Sequence, residues 1–223
     1  MPGDFWRRLR RDLRRVVANL ILITAATGQV GREVVAELVR RGERPRALVR
    51  DVSRSPANAE VTEGSFEDDA SLARALRSVD VLFLAGRDSP DAVAQHRRVL
   101  EHARGAGVQH VVKLSALGAS PTSPVGLMRD HHEVVEEVRR GPWSWTLLRP
   151  HLYMQNLLRA ADAGRVDGRL EAPMGDGRYP LVDTARPGPG PSRANKHRRG
   201  HFRVLSSVEP PTARLRSAST PFA

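Results

Sequence analysis

The sequence predicts an α/β fold with a doubly wound parallel sheet, and three observations lead to that prediction. Short apolar runs alternate along residues 20–183 with longer segments whose apolar residues recur at helical spacing. The first run, LILIT at 20–24, is apolar without interruption, as expected of a parallel strand that is buried on both faces. It leads directly through a glycine-containing turn into an amphipathic helix.

Strands and helices are expected to alternate along this stretch. The strands are predicted at 20–24, 45–49, 59–63, 79–85, 110–115 and 144–148. The helices are predicted at 30–39, 71–76, 92–103 and 127–139. Connections of this length favour right-handed βαβ units, with helices on both faces of one open sheet.

The positive charge of the chain lies at its two ends. The whole chain has 36 Lys and Arg against 25 Asp and Glu, a formal net charge of +11 at pH 7. Residues 1–19 and 184–223 hold all of this excess, because residues 20–183 contain 22 basic and 22 acidic residues. A basic folded face for nucleic acid would require an excess in that middle segment. The sequence therefore predicts no specific nucleic-acid partner.

Composition separates the chain into three parts. Residues 1–19 combine arginines with apolar residues at helical spacing, which predicts a basic amphipathic extension. A surface anchor and a signal peptide are the alternatives for this segment. Residues 184–223 are rich in proline, arginine and serine and are predicted to form a disordered tail, leaving 20–183 as the folded domain. No apolar run reaches about 18 residues, which predicts no transmembrane segment, and the absence of cysteine fits the reducing cytoplasm.

The stretch from Thr24 to Gly31 predicts a nucleotide site. Strand, glycine turn and helix follow one another, so backbone N–H groups and a helix N-terminus meet at one point, where a pyrophosphate would bind. Gly28 lets the backbone approach the phosphate, and Gly31 lets the helix pack closely against the strand.

These residues resemble the NmrA-like family of atypical short-chain dehydrogenases, whose first strand runs into a TGATGxxG turn. The chain reads TAATGQVG at 24–31, and the similarity continues through GSFEDDASLARAL, VDVLFLAG, HVVKLSALGAS and HEVVEEVRRGPWSWTLLRPHLYMQNLL. The resemblance extends over residues 20–183 and implies a Rossmann-like fold that binds a nicotinamide dinucleotide. The cofactor contacts that it implies are Thr24, Ala26, Thr27, Gly28, Gln29, Val30, Gly31, Phe66 and Ala85.

The chain departs from the family pattern at three places. Ala25 stands where the family usually has the first glycine of the turn, and Ser65 stands where similar sequences often have an aspartate near the adenine end. The family normally continues beyond Asp183 into a smaller lobe that covers the substrate, whereas here the resemblance stops at that residue. A shifted reading frame would encode a remainder of this composition, so a truncated product that only binds cofactor is one expected alternative.

The end of the second predicted strand bears on the choice of cofactor. Sites for NAD usually place a carboxylate there, which accepts hydrogen bonds from the ribose hydroxyls. This chain has Arg50 at that place, and a guanidinium suits the 2′-phosphate of NADP. The sequence therefore predicts NADP as the cofactor, and Asp51 beside the arginine keeps NAD as the alternative.

Catalytic residues are harder to find, because the chain lacks the YxxxK pair with which short-chain dehydrogenases tune a proton donor. Neither Tyr153 nor Tyr179 is followed by a lysine at that spacing. In the matching helix the chain has His132 and Glu136, the HxxxE arrangement of NmrA-like and related quinone reductase sequences. The resemblance implies His132 as a proton donor or ribose contact, with Ser115 nearby at the end of the fifth strand.

Two classes of function are expected from this pattern. One is an NAD(P)H-dependent reductase of a small electrophile such as a quinone, for which MQNLL after LRP is typical. The other is a regulatory protein that binds NADP and a protein partner without turnover, which the absence of YxxxK favours. No metal site is predicted, because HEVVE lacks the second histidine of a zinc-protease motif.

Overall fold

The structure is a computed structural model that describes residues 20–153, 155–156, 165–166, 169–170, 181–182, 184 and 204–205. The predicted extension at 1–19 and nearly all of the predicted tail at 184–223 lie outside these residues, so both remain predictions. Within the described ranges, no helix combines the length and the apolar character that a membrane crossing needs.

The strands, in chain order, are β1 (Ile21–Ile23), β2 (Arg46–Val49), β3 (Glu60–Glu63), β4 (Val81–Leu84), β5 (His110–Leu114), β6 (Ser144–Leu148), β7 (Leu152–Tyr153), β8 (Arg165–Val166), β9 (Arg169–Leu170), β10 (Leu181–Val182) and β11 (Val204–Leu205). Seven of them form one sheet in the order β11-β6-β5-β4-β1-β2-β3. All of its pairings are parallel. β1 pairs with both β2 and β4, so the chain winds outward from β1 in both directions. The predicted doubly wound, Rossmann-like fold is confirmed.

The helices are α1 (Gln29–Arg40), α2 (Asp69–Ala75), α3 (Ala92–Gly105) and α4 (Gly126–Arg140), and a 3₁₀ turn spans Val52–Arg54. On one face of the sheet, α1 packs Val35 and Leu38 against Ile23 and its neighbours. On the other face, α2, α3 and α4 pack against Leu22 and its neighbours. Successive strand residues point to opposite faces, so apolar strands fill both cores. Each fully buried Leu or Val contributes about 1.5–3 kcal/mol to stability.

Short strand pairs that the sequence analysis did not predict follow β6. β7 pairs in parallel with β10, and β8 pairs in antiparallel fashion with β9. β11, which falls inside the predicted tail, adds a two-residue strand to the sheet edge beside β6. β8 and β9 are close in sequence, whereas the β7–β10 and β6–β11 pairings join segments that are far apart along the chain.

Candidate functional site

The glycine turn lies at the point where the sheet reverses its winding direction. In an open parallel sheet, a crevice forms at this point beyond the carboxyl ends of the strands. Here the point is β1, whose Leu22 is paired with Arg46 of β2 on one side and with Leu82 of β4 on the other. The turn after β1 and the loops after β2 and β4 therefore meet at one edge of the sheet.

The turn begins with an alanine in the left-handed region, because Ala25 has a φ of 50°. The N–H of Gly28 donates to the carbonyl oxygen of Ala25 at 2.9 Å and closes the turn. A Cβ at Gly31 would overlap with the same carbonyl group, so α1 can start this close to β1 only with glycine there. The departure from the family pattern at Ala25 is thus accommodated, in a conformation that glycine adopts at lower cost.

Thr24 fastens the end of β1 to the end of β4. Its Oγ1 lies 2.7 Å from the carbonyl oxygen of Ala85 and 3.0 Å from that of Phe83, and accepts a 2.8 Å hydrogen bond from Ala85 N–H. Thr24 and Ala26 are both 0% exposed. Both side chains are therefore enclosed, and the implied contacts of these two residues with a cofactor stay predictions. The residues of the turn that are at least partly exposed are Ala25, Thr27, Gly28, Gln29 and Val30.

The first turn of α1 is open to an anion. Its N-cap, Gly28, has no side chain to occupy the N–H groups of that turn, and no acidic residue stands there. α2 differs, because Asp68 caps it by accepting hydrogen bonds from the N–H groups of Ala70 and Ser71 at 3.0 and 3.2 Å. At α1 the backbone N–H groups of the first turn and the positive end of the helix dipole fit a pyrophosphate.

A glutamine from the segment after β6 contacts the same turn. Gln29 Nε2 donates to Gln155 Oε1 at 3.4 Å, and the N–H of Thr184 donates to that oxygen at the same distance. The chain that follows β6 and the chain that follows β10 therefore meet beside the glycine turn.

In the loop after β2, the arginine side chain is exposed, whereas the neighbouring carboxylate is hydrogen-bonded within the loop. Arg50 is exposed and forms no hydrogen bond or ion pair with any residue that the structure describes. Asp51 Oδ1 accepts hydrogen bonds from Ser53 Oγ at 2.6 Å and from Ser53 N–H at 2.9 Å. These bonds lower the pKa of Asp51, and the bond from the Ser53 hydroxyl has the larger effect. The arrangement leaves the Arg50 guanidinium available to a phosphate.

One predicted cofactor contact, Phe66, lies beside the end of β4. Gly86, next to Ala85, lies against the imidazole of His96, and a Cβ there would be 2.9 Å from Nε2 and 3.3 Å from the Phe66 ring. The rings of Phe66 and His96 are 5.8 Å apart and meet at 68°, edge to face. Phe66 and Gly86, the residue after Ala85, therefore both lie against the His96 ring.

The two predicted catalytic residues are not joined to each other. Ser115 extends β5, since its N–H donates to the Leu148 carbonyl oxygen at 2.7 Å. Its side chain is 3% exposed, and its Oγ has no hydrogen-bond partner within the described ranges. His132 is partly buried on α4. The same ranges contain no group of three His, Asp or Glu side chains that could hold a metal ion.

Sequence reasoning missed a buried lysine two residues before Ser115. Lys113 is 1% exposed, and its Nζ lies 3.3 Å from His96 Nε2. His96 Nδ1 lies 2.6 Å from the Ala92 carbonyl oxygen, so we assign the ring proton to Nδ1 and the acceptor lone pair to Nε2. Burial lowers the pKa of Lys113 to about 7, and burial followed by the charge of Lys113 lowers the pKa of His96 to about 3.

His131, rather than the predicted His132, interacts electrostatically with this lysine. Burial and then the charge of Lys113 lower the pKa of His131 to about 4. Its Nε2 lies 3.8 Å from Asp88 Oδ1. One signal in the sequence could have found the cluster: the chain has only two lysines, Lys113 and Lys196, among 36 basic residues. Lysine, unlike arginine, loses its proton readily when it is buried.

Comparison with known proteins identifies relatives over most of the described region. A family profile described as NAD(P)H-binding matches residues 25–173. The chain is 33% identical over 169 residues to the NAD(P)H azoreductase of Xenophilus azovorans, covering 74% of this chain and 59% of the relative. It is 37% identical over 172 residues to the (4-alkanoyl-5-oxo-2,5-dihydrofuran-3-yl)methyl phosphate reductase of Streptomyces griseus, covering 74% and 58%.

A solved structure agrees with the same assignment. The NADPH-dependent quinone oxidoreductase of Escherichia coli, in complex with NADPH, superimposes with a TM-score of 0.67 at 32% identity. The match covers 74% of this chain and 60% of that one. The chain therefore spans 58–60% of the length of these three relatives. From the match to residues 25–173, the chain belongs to the NAD(P)H-binding family, and its predicted place among the NmrA-like atypical short-chain dehydrogenases is confirmed.

Proposed function

We propose that this chain binds NADPH and reduces a small electrophile, with quinones as the first candidates. Residues 20–183 would be the cofactor domain of a cytoplasmic protein, flanked by the basic extension and the tail. One observation carries the proposal: the uncapped first turn of α1 lies at the carboxyl edge of the sheet, one strand from the exposed Arg50. The azoreductase and quinone oxidoreductase relatives support the reductase class.

Each part of the dinucleotide has a proposed partner. The pyrophosphate binds the N–H groups of the first turn of α1, where Gly28 allows close approach. The 2′-phosphate pairs with Arg50, whose guanidinium can donate two parallel hydrogen bonds. Phe66 and Ala85 line the path between these ends. When bound, the dinucleotide supplies the hydride.

The residues around the site favour an acceptor that needs little acid catalysis. Burial and then the charge of Asp88 raise the pKa of Tyr153 to about 12, so this tyrosine holds its proton too tightly to replace the missing YxxxK pair. A quinone accepts hydride readily and leaves a stable anion, whereas a simple ketone leaves an alkoxide that needs a strong acid nearby. We propose Ser115 and His132 as the groups that face the acceptor.

The test follows NADPH oxidation with a quinone, an azo dye and a simple ketone as acceptors. We expect the quinone to react faster than the ketone, and Ser115→Ala and His132→Ala to slow the quinone reaction. His102→Ala is the matched control, because His102 lies on α3, where its Nε2 is 3.0 Å from Asp69 Oδ1 of α2, and has no proposed role. NADPH binding without reduction of any acceptor would overturn the reductase proposal. It would favour binding without turnover.

A further inference from the structure

We propose that Arg149, with the hydroxyl of Ser115 beside it, binds an oxyanion group of the acceptor, so that the preferred acceptors carry a carboxylate, sulfonate or phosphate substituent. We call these two residues the anion subsite. The inference rests on the proposed reductase function and deepens it, because it names the class of acceptor that the site selects.

The two residues of the anion subsite lie opposite each other on neighbouring strands. β5 and β6 pair in parallel as far as Leu114 with Leu148. The ladder continues past this pair, since the N–H of Ser115 donates to the Leu148 carbonyl oxygen at 2.7 Å. The next pair in the same register is Ser115 with Arg149. Both residues therefore stand at the carboxyl edge of the sheet.

Alternation along the strands directs both side chains to the same face. Residues two apart in a strand point to the same side of the sheet. Leu147 of β6 and Val111 of β5 both belong to the core under α2, α3 and α4. Arg149 is two residues beyond Leu147, and Ser115 is four residues beyond Val111. The guanidinium and the hydroxyl therefore lie side by side on the face that these helices cover.

Neither side chain of the anion subsite has a polar partner within the part of the chain that the structure describes. Nε of Arg149 and Oγ of Ser115 are both enclosed and form no hydrogen bond. Burial and then the charge of Arg139 lower the pKa of Arg149, and Glu136 opposes this shift. Glu136 itself pairs with Arg139 at 2.5 Å. Enclosed donors without a partner cost stability, and an oxyanion bound between them would remove that cost.

The anion subsite is separated from the proposed partners of the dinucleotide phosphates, which follow β1 and β2. Arg149 follows β6, three strands from β1 on the side away from β2, or about 14 Å at the usual strand spacing. A dinucleotide lies across the crevice at the reversal point, with one half on each side. Since Arg50 after β2 is proposed to hold the adenosine half, the nicotinamide half extends toward β4 and β5. The anion subsite lies just beyond that end, where an acceptor would meet the cofactor.

The donors of the anion subsite suit a charged oxygen group better than a neutral one. An arginine keeps its positive charge in proteins, and its guanidinium can donate two parallel hydrogen bonds to a carboxylate or phosphate. The Ser115 hydroxyl can donate a third. A neutral substituent would leave the buried positive charge without compensation. Arg149 therefore determines specificity, because it holds the acceptor and takes no part in the transfer of hydride or proton.

Binding of two probes that cannot accept hydride tests the anion subsite without turnover. The probes are 2-naphthoate and 2-naphthamide, titrated into the full chain with and without saturating NADP⁺, which fills the dinucleotide phosphate sites. We expect the naphthoate to bind roughly tenfold to a hundredfold more tightly, as a charge-assisted hydrogen bond predicts. Arg149→Gln should bind both probes equally. Arg140→Gln is the matched control, because the Arg140 side chain is 66% exposed and pairs with Glu137.

Arg149→Lys keeps the charge but loses the paired donors, so it should keep only part of the preference. This variant carries the test if Arg149→Gln does not fold. Equal affinities of the two probes in the wild type, or an undiminished preference in either Arg149 variant, would overturn the proposal. Displacement of the naphthoate by NADP⁺ would also overturn it, because the carboxylate would then have occupied a phosphate site of the dinucleotide.

The kinetic readout compares a naphthoquinone that carries a propionate side chain with its methyl ester. In the wild type and in Arg140→Gln, KM for the acid should be roughly tenfold to a hundredfold lower, with similar kcat. In Arg149→Gln the two KM values should converge. Equal KM values in the wild type overturn the anion subsite and leave the reductase function standing. Arg149-dependent binding of naphthoate without reduction of either quinone overturns the reductase function and leaves the anion subsite standing as a binding site.

Discussion

Gly31 lies against the carbonyl group of Ala25 so closely that any Cβ at this position would overlap with the carbonyl oxygen. The contact joins the first turn of α1 to the end of β1, and Gly28 hydrogen-bonds to the same oxygen at 2.9 Å. The geometry of the phosphate site therefore depends on one carbonyl group that two glycines approach.

Gly31→Ala should destabilise the protein and abolish NADPH binding. Relief of the overlap must move α1 away from β1, at a cost of about 1–3 kcal/mol. Chemical unfolding and calorimetric titration measure the two effects. Gly105→Ala is the matched control, because nothing lies within 4 Å of a Cβ there. Wild-type affinity in Gly31→Ala would contradict the prediction.

Ala25→Gly should raise the free energy of unfolding by about 1 kcal/mol, because alanine pays a steric cost at a φ of 50°. Urea unfolding of the variant and the wild type checks this value. Ala94→Gly, at an exposed position of α3, should instead lower the free energy of unfolding by about 1 kcal/mol. A loss of stability in Ala25→Gly similar to that in Ala94→Gly would show that the turn gains nothing from glycine.

Thr24→Val should lose about 1–3 kcal/mol of stability. Valine has nearly the same shape but leaves the N–H of Ala85 without the acceptor that Oγ1 provides at 2.8 Å. Thr24→Ser keeps the hydroxyl and should keep most of the stability. Equal unfolding free energies for Thr24→Val and the wild type would mean that the hydrogen bonds of Thr24 Oγ1 contribute nothing to stability.

Lys113 should make stability rise with pH above neutrality. Its pKa is lowered from 10.5 to about 7, so between these values the unfolded chain binds more protons than the folded one. Stability therefore increases as pH rises through this window, and the cost of the buried charge is fully present below the folded value. Unfolding free energies measured across this window should rise in the wild type relative to Lys113→Met. A constant difference between the two proteins would contradict the lowered pKa.

The elements of the sheet and the site could be predicted because their residues act locally. The apolar run at 20–24 and the amphipathic pattern after Gly28 specify a strand and a helix whatever surrounds them. Arg50 could be placed because it directly follows β2.

The contacts that escaped prediction all depend on long-range packing. Lys113 lies in a run that reads as a strand, but its burial depends on His96 of α3 and His131 of α4, which only the fold brings together. Thr24 occupies a turn position typical of cofactor contacts, yet its hydroxyl bonds to β4. The β7 and β10 strands are two residues each, too short for any periodic pattern.

The central claim, that the glycine turn and Arg50 together select NADPH, is tested most directly by titrating NADPH and NADH into the wild type, Arg50→Ala and Arg44→Ala. Arg44 is the control, because it precedes β2 and so lies at the opposite end of that strand. A charge-assisted hydrogen bond is worth about 1.5–3 kcal/mol, which predicts a preference for NADPH of roughly tenfold to a hundredfold in the wild type and in Arg44→Ala. Arg50→Ala should bind the two cofactors equally. Equal affinities in the wild type, or a preference for NADPH that survives Arg50→Ala, would contradict the account.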